Sequence, residues 1–168
     1  MTAEAVRNVT AAFISSRLDY CNALLHGLPN TLLHKLQSVQ NATARLITGT
    51  PHCDHITPVL RELHWLPIRE RVKFILACLV HQSLSGQSFA YLADNCHLFS
   101  DSRCRSLRSA DVPTCVVPRT YSSYGDRTFA AAGPLLWNSL PVQLHNPDIK
   151  RQLKGHLIGD DEHVTFDM

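Results

Sequence analysis

The sequence predicts a mostly α-helical fold: an irregular multi-helix domain with an extended basic arm and at most a short β element. Three observations carry that expectation. Apolar residues recur at three-and-four spacing in successive segments. Glycine and proline punctuate those segments at helix-ending positions. Thr114-Cys-Val-Val117 is the only strand-like run, and it is short. With 168 residues, 45% hydrophobic and 18% charged, the chain suits one domain, or one domain with an appendage, and a mostly disordered polymer is excluded.

Taken in order, Val6, Val9, Phe13, Tyr20 and Leu24 mark a first helix, with a polar interruption at Ser15-Ser16-Arg17. Gly27-Leu28-Pro29 stops it. A second helix is capped by Asn30, and its apolar stripe is Leu32, Leu36, Val39, Thr43 and Leu46. Lys35, Gln37, Ser38, Asn41 and Arg45 take its other faces. Gly49 stands where a left-handed cap belongs, followed by Pro51. Thr57 caps a short third helix with Pro58 in its first turn. Pro67 opens a longer one with the stripe Ile68, Val72, Ile75, Leu79 and Val80, closed by Gly86.

The character changes after residue 100. Residues 100–127 hold six serines, five arginines and three aspartates, and read as an extended arm. Phe129 to Ala132 forms a helical turn that Gly133-Pro134 interrupts. Pro134 then starts a short helix carrying Leu135, Leu136 and Trp137, which Pro141 ends. A last helix runs from Asn146-Pro147, with Ile149, Leu153 and His156 or Leu157 on one face. The division is therefore a helical region 1–99, the arm 100–127, short helices over 128–158 and an acidic tail 159–168.

The net charge of +2 conceals an asymmetry. Four of the 14 acids (Asp160, Asp161, Glu162 and Asp167) lie in the last nine residues, so residues 1–159 carry 16 basic and 10 acidic groups. Arginine outnumbers lysine 12 to 4, and its planar fork suits phosphate and flat rings. No secretory segment and no membrane-length apolar run is present. The expectation is a soluble intracellular protein with six free thiols, Cys21 and Cys78 packing as small hydrophobes.

Four motifs invite chemistry. Gly159-Asp160-Asp161 has the paired aspartates of a polymerase metal site, but a helical pattern precedes it, and an acidic tail is the simpler reading. His52-Cys53-Asp54-His55 with His64 offers zinc ligand types without the second spaced pair a structural site needs. Neither a nucleophile elbow nor a phosphate-cradling glycine loop is present. The arm presents Arg103, Arg105 and Arg108, then Arg119, Tyr121, Tyr124 and Arg127. Spaced cations with interleaved aromatics suit a single-strand track. The competing reading is a solvated loop whose arginines pair with Asp101, Asp111 and Asp126. Arg69, Arg71 and Lys73 read as an ordinary exposed helix face.

Longer words add to this. They are Ser16-Arg-Leu-Asp-Tyr-Cys-Asn22, Gly27-Leu-Pro29, Leu36-Gln-x-Val-Gln-Asn-Ala42 with Ala44-Arg-Leu46, and Asp54-His-Ile-Thr-Pro-Val-Leu60. Glu62-Leu-His-Trp-Leu-Pro-Ile68, Arg105-Ser-Leu-Arg108, Val117-Pro-Arg119, Tyr124-Gly-Asp-Arg127 and Leu136-Trp-Asn-Ser-Leu-Pro141 follow in order. Together, over about residues 10–158, they resemble the region downstream of the polymerase palm in Jockey-like non-LTR (LINE-type) retrotransposon reverse transcriptases. The resemblance implies a detached helical thumb and tail, upstream of which the family's catalytic aspartates lie. It therefore implies no enzyme activity and no catalytic residue for this chain; from the motifs above, no metal ligand, no cofactor and no small-molecule substrate is expected. It places Arg105, Arg108, Arg119 and Arg127 among the family's recurrent words, so RNA or an RNA–DNA hybrid is the expected partner. Trp65 and Trp137 are assigned to packing. Self-association through exposed helix faces, or a relic without a selected role, is the alternative, and no membrane partner is expected.

Overall fold

The computed structural model describes residues 3–99, 114–145 and 149–159, and it is mostly helical. The helices are α1 (Ala3–Asp19), α2 (Asn30–Thr48), α3 (Ile56–Glu62), α4 (Ile68–Leu84), α5 (Ala90–Ala93), α6 (Phe129–Ser139) and α7 (Ile149–Gly159). Short 3₁₀ turns occupy Asn22–Leu25, Gly125–Arg127 and Val142–Leu144. Among the described residues the β structure is one antiparallel bridge, Leu98 to Cys115. No helix among them is long and apolar enough to cross a membrane. The chain divides into two compact units, Met1–Val72 and Lys73–Met168.

In the first unit, α2 ends as its sequence requires. Gly49 adopts φ 73° and its N–H donates to the Arg45 carbonyl at 2.8 Å. The start differs by one residue: Pro29 precedes the helix, and the Asn30 side chain accepts a hydrogen bond from Arg69 instead of capping. α3 begins at Ile56, so Thr57 lies inside its first turn and not at the cap, while Pro58 keeps its first-turn place. Ala44, Val59 and Leu60 form a small core, with Ile56, Leu63 and Trp65 packed against it.

The face of α2 turned inward corrects the sequence expectation. Of the expected stripe, Thr43 is buried and Leu36 half-buried, but Leu32, Val39 and Leu46 are exposed, and Gln40 is fully buried beside Thr43 and Ala44. The cause is the chain crossing from α3 into α4, whose backbone groups need partners. Gln40 Nε2 donates to the Leu66 carbonyl at 2.9 Å, and Gln37 Oε1 accepts from the Ile68 N–H at 2.8 Å. Gln37 Nε2 in turn donates to Gln40 Oε1. Two amides thus hold the inward register, and the aliphatic ridge rotates out. The first expected stripe behaves similarly, and its helix ends earlier than expected, at Asp19: Leu18 of α1 is buried, whereas Val9 and Phe13 on α1, and Tyr20 and Leu24 beyond its end, are exposed. The side chain of Val6, placed in that stripe by its spacing, lies outside the described residues. The Arg17 guanidinium sits over the Phe13 ring, 5.3 Å from its centroid. Cys21 is exposed at φ 52°, after the helix has ended, so it does not pack as a small hydrophobe, and Cys78 is half-buried.

In the second unit, Leu76, Ala77 and Val80 of α4 are buried, and Gly86 closes the helix at φ 67°. Here α6 corrects another expectation: Gly133-Pro134 does not interrupt it. Pro134 removes one helical hydrogen bond, but it is buried, as are Ala131, Ala132, Gly133 and Trp137. A Cβ on Gly133 would meet Val80 Cγ2 at 2.9 Å, so glycine permits the close approach to α4. Trp137 stacks on His145, with ring centroids 4.4 Å apart and planes 11° from parallel. In α7 the buried face is Ile149, Leu153 and Leu157, with His156 exposed. The expected start at Asn146-Pro147 and the tail from Asp160 lie outside the described residues.

The rotated face of α2 has a measurable signature. Gln40→Leu leaves the buried Leu66 carbonyl without its donor and is expected to cost about 1–3 kcal/mol. Val39→Ser, one residue away, is expected to change stability by less than about 0.5 kcal/mol. Urea unfolding of the two variants checks this; the reverse ranking would put the aliphatic ridge back in the core.

Candidate nucleic-acid interface

The segment leading to the candidate residues is pinned at a neck. The Phe99 N–H donates to the Thr114 carbonyl at 2.9 Å, and the Val116 N–H to the His97 carbonyl at 2.8 Å, on either side of the Leu98–Cys115 bridge. The Asn138 carboxamide of α6 clamps Cys115 from both sides. Its Oδ1 accepts from the Cys115 N–H at 2.8 Å, and its Nδ2 donates to the Cys115 carbonyl at 2.9 Å. The β-branched run around Cys115 suits this extended stretch. Arg103, Arg105 and Arg108 belong to the residues between the two strands of the neck and lie outside the described residues, as do Asp101 and Asp111.

Beyond the neck, residues 119–128 form a loop that satisfies itself. The Thr120 hydroxyl donates to the Asp126 carboxylate, and the Gly125 N–H donates to Ser122 Oγ at 3.1 Å. The Asp126 N–H donates to the Ser122 carbonyl, and the Arg127 N–H to that of Tyr124. The Thr128 hydroxyl donates to the Gly125 carbonyl at 2.7 Å, and the Thr128 carbonyl then accepts the first bonds of α6. A Cβ on Gly125 would lie 3.1 Å from Thr120 Cβ, so glycine keeps the loop tight. Asp126 Oδ1 thus takes part in the loop's own bonding.

This frame presents the side chains unequally. Tyr121 is fully exposed and Tyr124 is 79% exposed. Arg119 is exposed and makes no ion pair among the described residues. Arg127 is half-buried and already engaged with other groups. Arg119, Tyr121 and Tyr124 are thus exposed on one short loop.

The other clusters resolve differently. Arg71 forms a two-pronged ion pair with Asp19 at 2.5 and 2.7 Å, and Arg69 bonds Asn30. These arginines tie α4 to α1 and α2 and are not an ordinary free face. His52, Cys53, Asp54 and His55 are all exposed, and Arg45 anchors their loop through the Asp54 carbonyl at 3.0 Å. Among the described residues no three His, Cys, Asp or Glu side chains come together as a metal cluster. Trp65 is half-buried against the first unit's core, and Trp137 is buried. Sequence reasoning missed one feature, the exposed and stacked rings of Phe89 and Tyr91. The signal was an F-x-Y pair just beyond the helix-closing Gly86.

Two buried thiols stand behind the neck. Burial pushes Cys115 up from 9.0 to about 12, helped by the neighbouring Cys96 sulfur. Burial also raises Cys96, against a hydrogen bond to Ser83. Both are held protonated, which makes them poor nucleophiles. Comparisons with protein-family models, curated proteins and solved structures return no match.

The raised thiol affinities carry a pH signature. As pH climbs past 9, the unfolded chain loses thiol protons that the folded chain retains, so folding stability falls. The wild-type stability advantage over Cys115→Ala is expected to be constant below pH 9 and to shrink between pH 9 and about 12. Urea midpoints across that range check it.

Proposed function

We propose that this chain acts as a non-catalytic, mostly helical portion of a non-LTR retrotransposon reverse transcriptase, downstream of the palm, and binds single-stranded RNA or an RNA–DNA hybrid with little sequence preference. The observation that carries the reading is the self-bonded loop that holds Tyr121 and Tyr124 exposed beside Arg119. Exposed rings and a cation on one loop suit the stacking of an unpaired base and the neutralising of its phosphate. Arg103, Arg105 and Arg108 neutralise further phosphates in this proposal, with Arg127 in a supporting place. Specificity stays low because no base edge is read by hydrogen bonds; phosphate neutralisation and stacking both tolerate any base.

Titration with a labelled single-stranded RNA at several salt concentrations tests this. Wild type is expected to bind with a steep salt dependence. Replacing Arg103, Arg105, Arg108 and Arg119 by alanine is expected to flatten the slope by roughly 0.7 for each phosphate that is no longer neutralised. Absence of binding at low salt overturns the proposal.

Self-association is a second reading, favoured by the exposed ridge Leu32, Val39 and Leu46 on α2 and by exposed Val9 and Phe13 on α1 with Tyr20 just after its end. The α4 stripe Ile68, Val72 and Ile75 is buried or half-buried and supplies no such surface. Light scattering separates the readings: Val39→Asp is expected to dissolve any dimer and to leave RNA affinity unchanged. A monomer at all concentrations rejects this second reading.

A further inference from the structure

The cations among the described residues fall into two groups. Arg45, Arg69 and Arg71 are bound to other elements of the chain, and Arg61, Lys73 and Arg127 are engaged as well. The side chains of Arg151 and Lys154 on α7 make no hydrogen bond or ion pair among the described residues. From Ile149 to Gly159 that helix carries no aspartate or glutamate. Like charges three positions apart disfavour a helix slightly, so the pair does not help α7 to fold.

Their placement follows from the helix period. Ile149, Leu153 and Leu157 recur every fourth position and are buried. Arg151 and Gly155 keep the same step two positions later, about 200° round the helix, and are exposed. Lys154 lies half-buried at the side of that outer face. Gly155 is an independent observation. A glycine inside a helix costs stability relative to alanine. At Gly133 the cost has a reason, the close approach of Val80. A Cβ on Gly155 would meet nothing within 4 Å among the described residues, so packing there does not require glycine. Bare helix backbone does let another chain approach closely.

We infer that the outer face of α7, Arg151 and Gly155 with Lys154 beside them, takes the sugar–phosphate backbone of a single-stranded nucleic acid. This rests on the functional reading above and adds a contact that uses no aromatic ring. Charge complementarity selects the occupant: both cations stand on the helix itself, and each neutralises one phosphate. The exposed Arg119, Tyr121 and Tyr124 of the same compact unit favour a strand over an acidic peptide. Asp148 before the helix and Asp160, Asp161 and Glu162 after it lie outside the described residues, and they are the rival partners for these cations within the chain.

The test uses the full chain and three probes: a labelled single-stranded RNA, an abasic phosphodiester strand of equal length, and a polyglutamate peptide of equal charge. Arg151→Ala with Lys154→Ala is expected to flatten the slope of log K against log salt by about 1.4, and equally for both strands, because the contact is with phosphate. Arg151→Lys with Lys154→Arg keeps both charges and is expected to retain the slope. Gly155→Gln is expected to raise the urea midpoint, since glutamine is the better helix former, while weakening the binding of both strands. A glycine needed only for structure would instead lose stability and affinity together. Lys35→Ala removes an exposed cation of the other unit and is expected to leave the slope unchanged. An unchanged slope in the α7 double variant overturns the inference and assigns its cations to the flanking carboxylates. Unchanged affinity in Gly155→Gln, or a similar flattening from Lys35→Ala, overturns it as well. Polyglutamate that binds as tightly as RNA and suffers the same loss overturns it in favour of an acidic peptide. If the α7 variants bind like wild type while the arginine variant of the arm still flattens the slope, this inference fails alone. If wild type binds neither strand, the functional reading fails with it.

Discussion

The clamp of Asn138 on Cys115 is the constraint on which the candidate interface depends. A single carboxamide satisfies both backbone groups of a buried residue, and so fixes the extended chain to α6. Backbone groups buried without partners would each cost a few kcal/mol, so this stretch has little freedom to slide. On one side the clamp sets where His97 and Phe99 pair with the returning chain. On the other it sets the start of the segment that presents Arg119 and Tyr121. The buried thiols of Cys96 and Cys115 fill the space behind it with small apolar volume and no charge.

Much of the helical order was legible from pattern and punctuation. Gly49 and Gly86 end α2 and α4 in the left-handed conformation their positions implied, and Pro67 directly precedes α4. What failed was the direction in which helices face. On α2, periodicity selected the aliphatic stripe, but two glutamines won the inward position because long-range backbone groups needed amides. That demand comes from residues 66–68, some 26 to 31 positions away, and no local window shows it. Gly133-Pro134 misled for a related reason. Locally the pair reads as a break, yet the close approach to Val80 uses the missing Cβ, and the helix continues.

The candidate site was legible in composition and only partly in role. Tyr121, Tyr124 and Arg119 stand exposed on one loop, as spaced cations and aromatics suggest. Asp126, a natural ion-pair partner by charge, accepts from the Thr120 hydroxyl, a contact the local turn makes and charge counting cannot see. Arg71 shows the opposite error: it counts as free surface charge in sequence, yet it pairs with Asp19, 52 residues earlier. The Phe89–Tyr91 pair escaped notice because its meaning lies in ring orientation, which a two-residue spacing does not encode.

The placement of the two tryptophans gives each compact unit its own internal lamp. Trp65 is half-buried near Ala44 and Leu60, while Trp137 is enclosed and lies face to face with an imidazole. Indole emission responds to solvent and to a stacked neighbour, so the two emit under different conditions. Replacing either one by phenylalanine leaves a chain whose ultraviolet fluorescence follows one half of the molecule as it opens, without any attached dye.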